Sequence, residues 1–354
     1  MYSLPRISEL RESTENGNHK FTVVSTFAGG GGSSIGYRMA GGKVLAINEF
    51  IPEAVNTYTA NWPSTKVLSN DVRDITAQDI LSICDIREGE LDIFDGSPPC
   101  SAFSSLGKRD KGWGKTKKYS DSAQENVEDL FFEYIRLLRG VMPKVFVAEN
   151  VSGLAKGVAK GYLNEILKGL KGSGYVVNCK ILDARYLGVP QSRSRTIFIG
   201  IRNDIWLEKF RGRVHPAPFD NVTTLAEAFE GLEFTAQDKA QTNISKYAIY
   251  PRLKALKKAE QDTKYFNLIK ASPHRCSPCI TATTGNIGAA KPCHWENRAF
   301  SVSEVKRIMS VPDDYVLTGS YSQQVERLGR MVAPLMMKAV AKNLQEIGVI
   351  NGNT

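Results

Sequence analysis

The sequence predicts an α/β fold, with a mostly parallel sheet in a large domain and a second, smaller domain. Three observations lead to this prediction. Short apolar runs alternate with helical segments in the first half of the chain, a glycine run directly follows the first apolar run, and the alternation stops after about residue 213. With 354 residues, of which 42% are hydrophobic and 23% charged, the chain has enough apolar content for a packed core, which excludes general disorder.

The predicted strands are short runs rich in β-branched or aromatic residues, and polar residues or glycines follow them. They cover 21–26, 44–47, 67–68, 91–94, 145–148 and 197–201. Helices are predicted at about 52–61 and at 127–138, where apolar residues recur at helical spacing. Strand, turn and helix repeated in this order indicate a parallel sheet covered by helices.

The alternation of strands and helices does not continue in the second half of the chain. Short irregular elements, many lysines and proline-containing turns occupy 213–319. The segment 325–344 then predicts one amphipathic helix with Pro334 near its start. We therefore expect a large domain of 1–212 plus 321–354 and a small domain of 213–320.

Cysteine content and hydropathy exclude two classes of protein. Six cysteines in a chain of this length do not form a disulfide scaffold, and they indicate reduced thiols in an intracellular protein. No apolar run approaches the roughly 18–20 residues that a membrane helix needs. Residues 1–20 also lack the apolar core of an export signal. We expect a cytoplasmic protein with no membrane partner.

The net charge of +9 is concentrated in two segments. Residues 106–118 hold six Lys/Arg against one Asp, a net +5, and residues 236–275 hold nine Lys/Arg against three acidic residues, a net +6. The rest of the chain therefore carries a net charge of −2. A near-neutral body with two basic patches is typical of a protein that binds nucleic acid. On charge alone, two solvated loops are an equally good interpretation.

The glycine run at 29–32 follows the first strand, where parallel sheets bind their ligands. A G-x-G-x-x-G fingerprint is absent, because Ser34 or Ile35 stands at its sixth position. Alone, the run is equally well explained as a tight turn. Glu49, at the end of the second strand, is placed to accept hydrogen bonds from a ribose diol, and Asp71 could accept one from an adenine amino group. Together these residues predict a nucleoside-bearing cofactor.

Cys100 follows another strand, in the motif SPPCS. Two prolines fix the backbone before it, so we expect the thiol to point into the same crevice as the glycine run. A buried, inert thiol is the alternative. Lys108 and Arg109 follow closely, however, and nearby cations favour the reactive thiolate.

Further polar side chains follow or precede predicted strands. Glu149 ends an apolar run, and a desolvated carboxylate there suits a general acid or a hydrogen-bond donor. Gln191, Arg193 and Arg195 alternate, so in a strand they would all point to one face. Two guanidinium groups and an amide on one face would suit an oxygen-rich substrate.

In order and spacing, these motifs resemble those of the DNA cytosine-5 methyltransferases. The matching blocks are FAGGGGSSIGYRMAG, NEF, NDVRDI, DGSPPCSAFS, AENVSGL and GVPQSRSRTIFIG. SPCITATTG with RAFSVSEVKRIMSVPDDY is similar to the late block of that family. The resemblance covers most of 21–345, and the compact length is similar to the bacterial or phage type. It implies a Rossmann-like S-adenosylmethionine-dependent methyltransferase sheet in the large domain, with a target-recognition domain at 213–320.

The resemblance also implies S-adenosylmethionine as cofactor and double-stranded DNA as partner. Cys100 would add to C6 of a flipped-out cytosine, and Glu149 would contact N3 and the exocyclic amine. Arg193 and Arg195 would hold the O2 side, and Asn150 would buttress the loop. The implied cofactor contacts are Phe27, Gly29, Gly31, Glu49, Phe50, Asp71, Val72 and Pro99. The expected substrate contacts are Gln191, Ser104, Lys108, Arg109, Lys257 and Lys258.

Two departures from the family pattern matter. Ser101 and Ala102 follow the catalytic cysteine, where the family often has Gln-Gly. Arg330 stands where the C-terminal block usually has Asn, so we assign it no cofactor contact.

The second half of the chain also contains residues that could form a metal site. Cys276, Cys279 and Cys293, with His274 and His294, include ligand types that zinc prefers. Because the family has Thr at the position of Cys279, these residues need not bind anything, and we expect no metal.

Three functions are compared on the sequence. The first is a sequence-specific DNA methyltransferase, acting as a monomer on nucleoid DNA, with or without a separate cognate restriction endonuclease. The second is an RNA cytosine methyltransferase, but the Cys-Phe-Thr signature of that branch is not found. The third is a silent DNA-binding relative, and the intact set of catalytic residues argues against it. We expect the first; the sequence does not reveal the DNA sequence that is methylated.

Overall fold

The computed structural model describes residues 2–99, 117–118, 123–124, 129–155, 160–206 and 213–350. Cys100, Ser104, Lys108 and Arg109, with most of the basic segment 106–118, lie outside the described residues. The chain divides into two compact units. We call Ser8–Leu182, Ser194–Ala217 and Met337–Thr354 the sheet unit, and Met1–Ile7, Asp183–Arg193 and Pro218–Met336 the small unit.

The sheet unit contains the strand–helix repeat that the sequence predicts. Its strands are β1 (Phe21–Thr26), β2 (Gly42–Asn48), β3 (Lys66–Leu68), β4 (Ile93–Gly96), β5 (Lys117–Lys118), β6 (Ala123–Gln124), β7 (Val145–Val151), β8 (Tyr175–Asp183) and β9 (Ser194–Arg202). Its helices are α1 (Ile7–Glu15), α2 (Gly32–Met39), α3 (Pro52–Asn61), α4 (Ala77–Cys84), α5 (Leu130–Val141) and α6 (Lys160–Lys171), with 3₁₀ turns at Val72–Asp74 and Ser152–Ala155.

Within the described residues, seven strands form one sheet in the order β3-β2-β1-β4-β7-β9-β8. The five strands from β3 to β7 are parallel, and β9 runs antiparallel to β7. This confirms the predicted α/β fold with a mostly parallel sheet. The strand order reverses between β1 and β4, and in such sheets the ligand crevice lies outside the carboxyl ends at that point.

Helix α5 packs an apolar face onto the centre of the sheet. Leu130, Phe131 and Tyr134 on this helix are buried with Phe94 of β4 and Phe198 of β9. Tyr134 also donates a 3.0 Å hydrogen bond to the Phe94 carbonyl. The helix ends at Val141 because Met142 adopts a left-handed conformation and Pro143 follows. The central strands are thereby fixed, and their carboxyl ends are held in register.

Several predicted boundaries in the sheet unit differ from the structure, and one strand was not predicted. Strand β7 continues through Val151, because its ladder with β9 continues to the pair Val151–Arg195. Strand β8 was not predicted at all. Its residues are mostly half-buried or exposed at the edge of the sheet, so the sequence lacks the apolar run that marks the central strands.

The small unit is built from short elements, as its sequence suggests. They are the 3₁₀ turn Ala184–Leu187, α7 (Leu225–Ala228), α8 (Ala236–Thr242), α9 (Tyr250–Ala255), β10 (Ile269–Lys270), the 3₁₀ turn Ala282–Gly285, β11 (Pro292–Cys293), α10 (Val302–Ile308) and α11 (Tyr321–Arg330). Four of the helices begin with a capping box, in which the N-cap hydroxyl and the side chain three residues later satisfy each other's backbone N–H groups. Such local signals start helices that are too short to be marked by periodicity.

The predicted single helix at 325–344 is two helices, α11 and α12 (Pro334–Glu346). Pro334 has no backbone N–H to donate, and its ring disfavours helical geometry at the preceding residue. The break lets α11 pack closely on Ala282–Gly285. A Cβ atom on Gly329 would lie 2.3 Å from the Thr281 carbonyl oxygen, so only glycine fits there.

The units are not divided where the sequence change at 213 suggested. Residues 183–193 pack with the small unit, because this part of the chain pairs with Ser277. Ser192 N donates to the Ser277 carbonyl, and Ser277 N donates to the Pro190 carbonyl, both at 2.9 Å. Residues 321–336 also belong to the small unit through the packing of α11. No helix in the described part of the chain is long and apolar enough to cross a membrane.

Candidate active site

The glycine loop after β1 has a backbone that L-residues rarely adopt. Phe27, Gly29 and Gly31 have φ angles of 54°, 53° and 80°, all in the left-handed region. A non-glycine residue with positive φ is strained, and such strain is concentrated at binding sites. Among the residues that the structure describes, no atom would lie within 4 Å of a Cβ on Gly29, so these residues leave open space beside the loop. A ligand can therefore approach the backbone closely.

Glu49 fixes this loop to the end of β2. Its carboxylate accepts hydrogen bonds from Gly29 N at 2.7 Å and from Ile51 N at 2.9 Å, and the residue is buried. Each carboxylate oxygen has lone pairs for a further donor. The residue is thus held by the backbone in a position where a diol could bind beside the loop.

Asp71 and Val72 follow β3. Asp71 caps the 3₁₀ turn by accepting from Arg73 N at 3.1 Å, and it pairs with the Arg73 guanidinium at 3.2 Å. Val72 is buried in the core of the sheet unit. Asn48 holds this segment, because its amide donates to the carbonyls of Leu68 (2.9 Å) and Asn70 (2.8 Å).

The segment before Cys100 is held from two sides. Ser97 Oγ donates to the Phe27 carbonyl at 3.0 Å. Asn150 is buried, donates from Nδ2 to the Pro98 carbonyl at 3.2 Å, and accepts from Val151 N at 2.8 Å. The Ser-Pro-Pro segment is therefore tied both to the glycine loop and to β7, with Pro99 half-buried beside them.

Glu149 and Arg195 form an ion pair on neighbouring strands. Arg195 Nε lies 2.7 Å from Glu149 Oε1, and the two side chains are 15% and 12% exposed. Arg195 also donates to the Ser194 carbonyl at 2.8 Å. Because β9 is antiparallel to β7, the start of β9 lies beside the end of β7, so both groups are at the edge that carries the glycine loop. The guanidinium offsets the cost of burying the carboxylate.

Asp95 is a site residue that the sequence reasoning missed. It lies within β4, buried, and accepts hydrogen bonds from Ser25 Oγ (2.6 Å), Tyr37 OH (2.8 Å) and the Ser33 hydroxyl. It thereby links β4 to β1 and to α2, the helix that follows the glycine loop. The signal was one acidic residue inside an otherwise apolar run, directly before SPPC.

Burial raises the pKa of Asp95 to about 6, and the nearby Glu149 charge adds to the effect, although the three hydroxyl donors oppose it. The folded state therefore binds this proton more tightly than the unfolded chain. The stabilising contribution is complete below about pH 4 and is lost as the pH rises through about 6.

Asp95→Asn should remove this dependence, because the amide oxygen can still accept a hydroxyl and carries no charge. Between pH 4 and pH 7 we expect the variant to gain roughly 3 kcal/mol in unfolding free energy relative to the wild type. Urea unfolding at several pH values measures this difference. Asp204→Asn is the control: the Arg202 guanidinium lowers the pKa of Asp204, so its smaller effect should have the opposite sign. A pH-independent difference for Asp95→Asn would contradict the interpretation.

The prediction that Gln191, Arg193 and Arg195 share one strand face was wrong. Strand β9 begins at Ser194, and Gln191 and Arg193 belong to the small unit, because this part of the chain pairs with Ser277 instead of the sheet. Only Arg195 lies on the strand.

Gln191 has no exposed surface. Its amide donates to Met309 Sδ at 2.9 Å and to the Ile308 carbonyl at 3.4 Å, and accepts from Ile280 N at 3.0 Å. Our expectation that Gln191 contacts substrate stays a prediction. The side chain holds segments of the small unit together.

Arg193 is also buried, with 2% of its surface exposed. Its guanidinium donates to the carbonyls of Ile280 (2.8 Å), Gly329 (3.0 Å) and Met331 (2.9 Å). These contacts give Arg193 a structural role within the small unit, and its expected contact with the cytosine O2 side stays a prediction.

The remaining candidates lie in the small unit. Lys257 and Lys258 are exposed in the turn after α9. Arg330, which replaces the usual Asn, pairs with Glu326 one helical turn away at 2.8 Å.

The cysteine and histidine candidates do not form one cluster. Among the described residues, no group of three or more His, Cys, Asp or Glu has an arrangement that could hold a metal ion. Cys293 lies in the small-unit core, and burial raises the pKa of its thiol to about 11. Burial lowers the pKa of His294 to about 2, with its ring stacked on Phe229.

The sheet order, the glycine loop and the acidic residue at the end of β2 define the class of Rossmann-like proteins that bind a nucleoside-bearing ligand. The chain belongs to the C-5 cytosine-specific DNA methylases, because the model of that family matches residues 21–346.

Curated relatives agree with this membership. The chain is 29% identical to the Type II methyltransferase M.SacI of Streptomyces achromogenes, over 93% of this chain and 94% of the relative. It is also 29% identical to M1.HphI of Haemophilus parahaemolyticus, with 91% and 86% covered.

Solved structures share the fold. A prophage-encoded E. coli protein described as a DNA modification methyltransferase matches with a TM-score of 0.74 and 21% identity, covering 92% of this chain and 99% of that one. A variant of Spodoptera frugiperda DNMT2 matches with a TM-score of 0.67 and 20% identity, covering 92% and 99%.

Proposed function

We propose that this protein transfers a methyl group from S-adenosylmethionine to C5 of a flipped-out cytosine in a specific DNA sequence. It would serve a restriction–modification system, with a separate cognate endonuclease, or act as an orphan or phage methylase. One observation carries the proposal: the glycine loop, the Pro98–Asn150 contact and the Glu149–Arg195 pair all lie at one edge of one sheet. The cofactor, nucleophile and base-binding groups of such a reaction need to converge in this way.

The cofactor region suits the nucleoside and the amino-acid part of S-adenosylmethionine. Among the described residues no atom fills the space beside Gly29, and the Glu49 carboxylate, which is held beside this loop, would accept from a ribose diol. Asp71, which follows β3, would accept from the adenine amino group, and bound S-adenosylmethionine supplies an electrophilic methyl group. The residues that would hold it are Phe27, Gly29, Gly31, Glu49, Phe50, Asp71, Val72 and Pro99.

The covalent chemistry would begin at Cys100. Its thiolate sulfur adds to C6 of cytosine, and the displaced π electrons make C5 nucleophilic. C5 would take the methyl group, which leaves S-adenosylhomocysteine. A base then removes the C5 proton, the C–H electrons restore the C5–C6 double bond, and the C6–S bond breaks with its electrons returning to the thiolate. 5-Methylcytosine is released, and the cysteine is ready for another cycle.

Glu149 and Arg195 would bind the base during these steps. Glu149 can contact N3 and the exocyclic amine, where charge develops as the sulfur adds, and Arg195 can donate to O2. Asn150 would position the Cys100 loop through its bond to the Pro98 carbonyl. Since C5 and C6 are stacked inside a duplex, the base must leave the helix, at a cost of roughly a few kcal/mol.

The small unit would bind duplex DNA by its charge. Of the charged residues in 236–275, Lys270, Asp238 and Asp262 are buried, and Arg252 is half-buried in an ion pair with Asp262. The charges of these four cancel, so the whole net +6 of the segment lies on exposed side chains. Exposed cations without matching acids attract phosphates.

Replacing both Lys257 and Lys258 by alanine should weaken binding to all DNA sequences about equally. The slope of log affinity against log salt should become shallower by about 2, because two phosphate contacts are lost. The methylated sequence should stay the same. Titrations at several salt concentrations measure the slope, and Lys168→Ala with Lys171→Ala is the matched control, an exposed pair on α6. An unchanged slope would show that the patch is merely solvated.

The proposed function is tested by incubating the protein with labelled S-adenosylmethionine and either genomic DNA or tRNA. Label should enter DNA as 5-methylcytosine, and bisulfite sequencing of DNA from expressing cells should reveal the recognition sequence. Transfer to tRNA alone would favour the RNA methyltransferase. Binding of DNA with no transfer to any nucleic acid would favour a silent relative.

A further inference from the structure

The small unit carries an ordered two-stranded ribbon at residues 259–270. Ala259 N donates to the Lys270 carbonyl and Asp262 N to the Leu268 carbonyl, both at 2.8 Å, so the two strands run antiparallel. Leu268 is fully buried in the core of this unit, which anchors the returning strand. The base of the ribbon is therefore fixed in the small unit, where Ile269 and Lys270 also pair with Pro292 and Cys293.

The tip of the ribbon, residues 263–267, is exposed but well held. The buried Asp262 carboxylate accepts from the backbone of Lys264 (2.8 Å) and Tyr265 (2.7 Å). The same carboxylate is paired with Arg252, which donates to both of its oxygens at 2.8 and 3.0 Å. A tip fixed in this way loses little conformational entropy when it binds a partner.

Phe266 lies at this tip with 75% of its surface exposed, more than any other large hydrophobic side chain in the described part of the chain. Single exposed apolar residues are common on protein surfaces. This one differs because an ordered ribbon presents it, because Lys264 at the same tip is exposed, and because Lys257 and Lys258 are exposed directly before the ribbon. The surface combines an apolar tip with cations, which fits a polyanion that also offers apolar groups.

Duplex DNA is such a partner, and the size of its grooves identifies where the tip would bind. The major groove, about 12 Å wide, admits a two-stranded ribbon, whereas the minor groove is about 6 Å wide. The thymine C5-methyl group is the apolar group on the major-groove edges of the bases. We propose that the tip of the ribbon, residues 263–267, enters the major groove and that Phe266 packs on a thymine methyl group of the recognition sequence, an inference that rests on the proposed function.

The test uses the full-length protein and a duplex that contains the sequence methylated by the wild type. Phe266→Ala should weaken binding to that duplex about tenfold, and Phe266→Leu, which keeps an apolar contact, should restore most of the loss. The control is Phe219→Ala, at an exposed phenylalanine of the same unit outside the basic segment, and it should bind as the wild type does.

A second substitution, in the DNA, identifies the contact. Deoxyuridine in place of the contacted thymidine removes only the methyl group, so it should cost the wild type about the same tenfold and cost Phe266→Ala nothing further. Additive losses, unchanged affinity of Phe266→Ala, or a recognition sequence without thymine would each overturn the inference. Failure of the wild type to methylate any DNA would instead overturn the proposed function.

Discussion

Cys100→Ala should abolish methyl transfer, with a fall in single-turnover rate of at least about a thousandfold. Alanine cannot form the bond to C6, so C5 of the cytosine is never made nucleophilic, and binding alone supplies only a small part of the rate. The measurement is transfer of label from S-adenosylmethionine to DNA at saturating protein. Affinity for DNA should fall by much less than the rate, because the basic patches are unchanged.

The control for this prediction is another thiol. Cys276→Ser removes a half-buried thiol of the small unit, where burial raises the thiol pKa and so disfavours a nucleophile. Its rate should match that of the wild type. Turnover by Cys100→Ala above a tenth of the wild-type rate would show that the nucleophile lies elsewhere.

The same substitution, Arg→Lys, should have opposite consequences at positions 193 and 195. A lysine at 193 cannot reach the three carbonyls of Ile280, Gly329 and Met331 together, so buried acceptors are left unsatisfied. We expect a loss of about 2–4 kcal/mol in unfolding free energy. The rate per folded molecule should be nearly normal, because the residue is buried in the scaffold.

Arg195→Lys keeps a cation beside Glu149, so the stability should change by less than about 1 kcal/mol. The planar guanidinium that would donate to cytosine O2 is lost, however, and the rate should fall about a hundredfold. Urea unfolding measures the change in stability, and single-turnover assays measure the change in rate. Both are done at a temperature below the melting temperature of the less stable variant, so that both variants are folded. If Arg193→Lys lowered the rate without lowering the stability, Arg193 would be the residue that binds the base, and Arg195 would belong to the scaffold.

Much of the sheet unit could be predicted because its signals are local. The run at 21–26, the glycine loop and the helix at 52–61 are all found where the sequence indicates them. Glu49 and Glu149 were singled out because an acidic residue at the end of an apolar run is conspicuous. Strand β8 was missed because the pairing of an edge strand depends on what packs alongside. The break before Pro334 is a local effect of proline, and the prediction of one continuous helix overlooked it.

Asp95 shows a different limit of sequence reasoning. Its partners Ser25 and Tyr37 lie 70 and 58 residues away in the chain, so no local pattern joins them. An acidic residue within a strand was visible in the sequence, but its role as the link between β1, α2 and β4 was not.

The sequence by itself determined the class of chemistry and the residue types that would carry it, because motif order and hydrophobic periodicity are properties of short segments. Only the tertiary structure decided which of the polar residues belong to the scaffold. Arg193 and Arg195 look equivalent in the motif, yet Arg193 donates to carbonyls 87, 136 and 138 residues away, whereas Arg195 pairs with Glu149 on the neighbouring strand. A buried guanidinium must satisfy its donors wherever the chain brings acceptors, and long-range packing alone determines where that is.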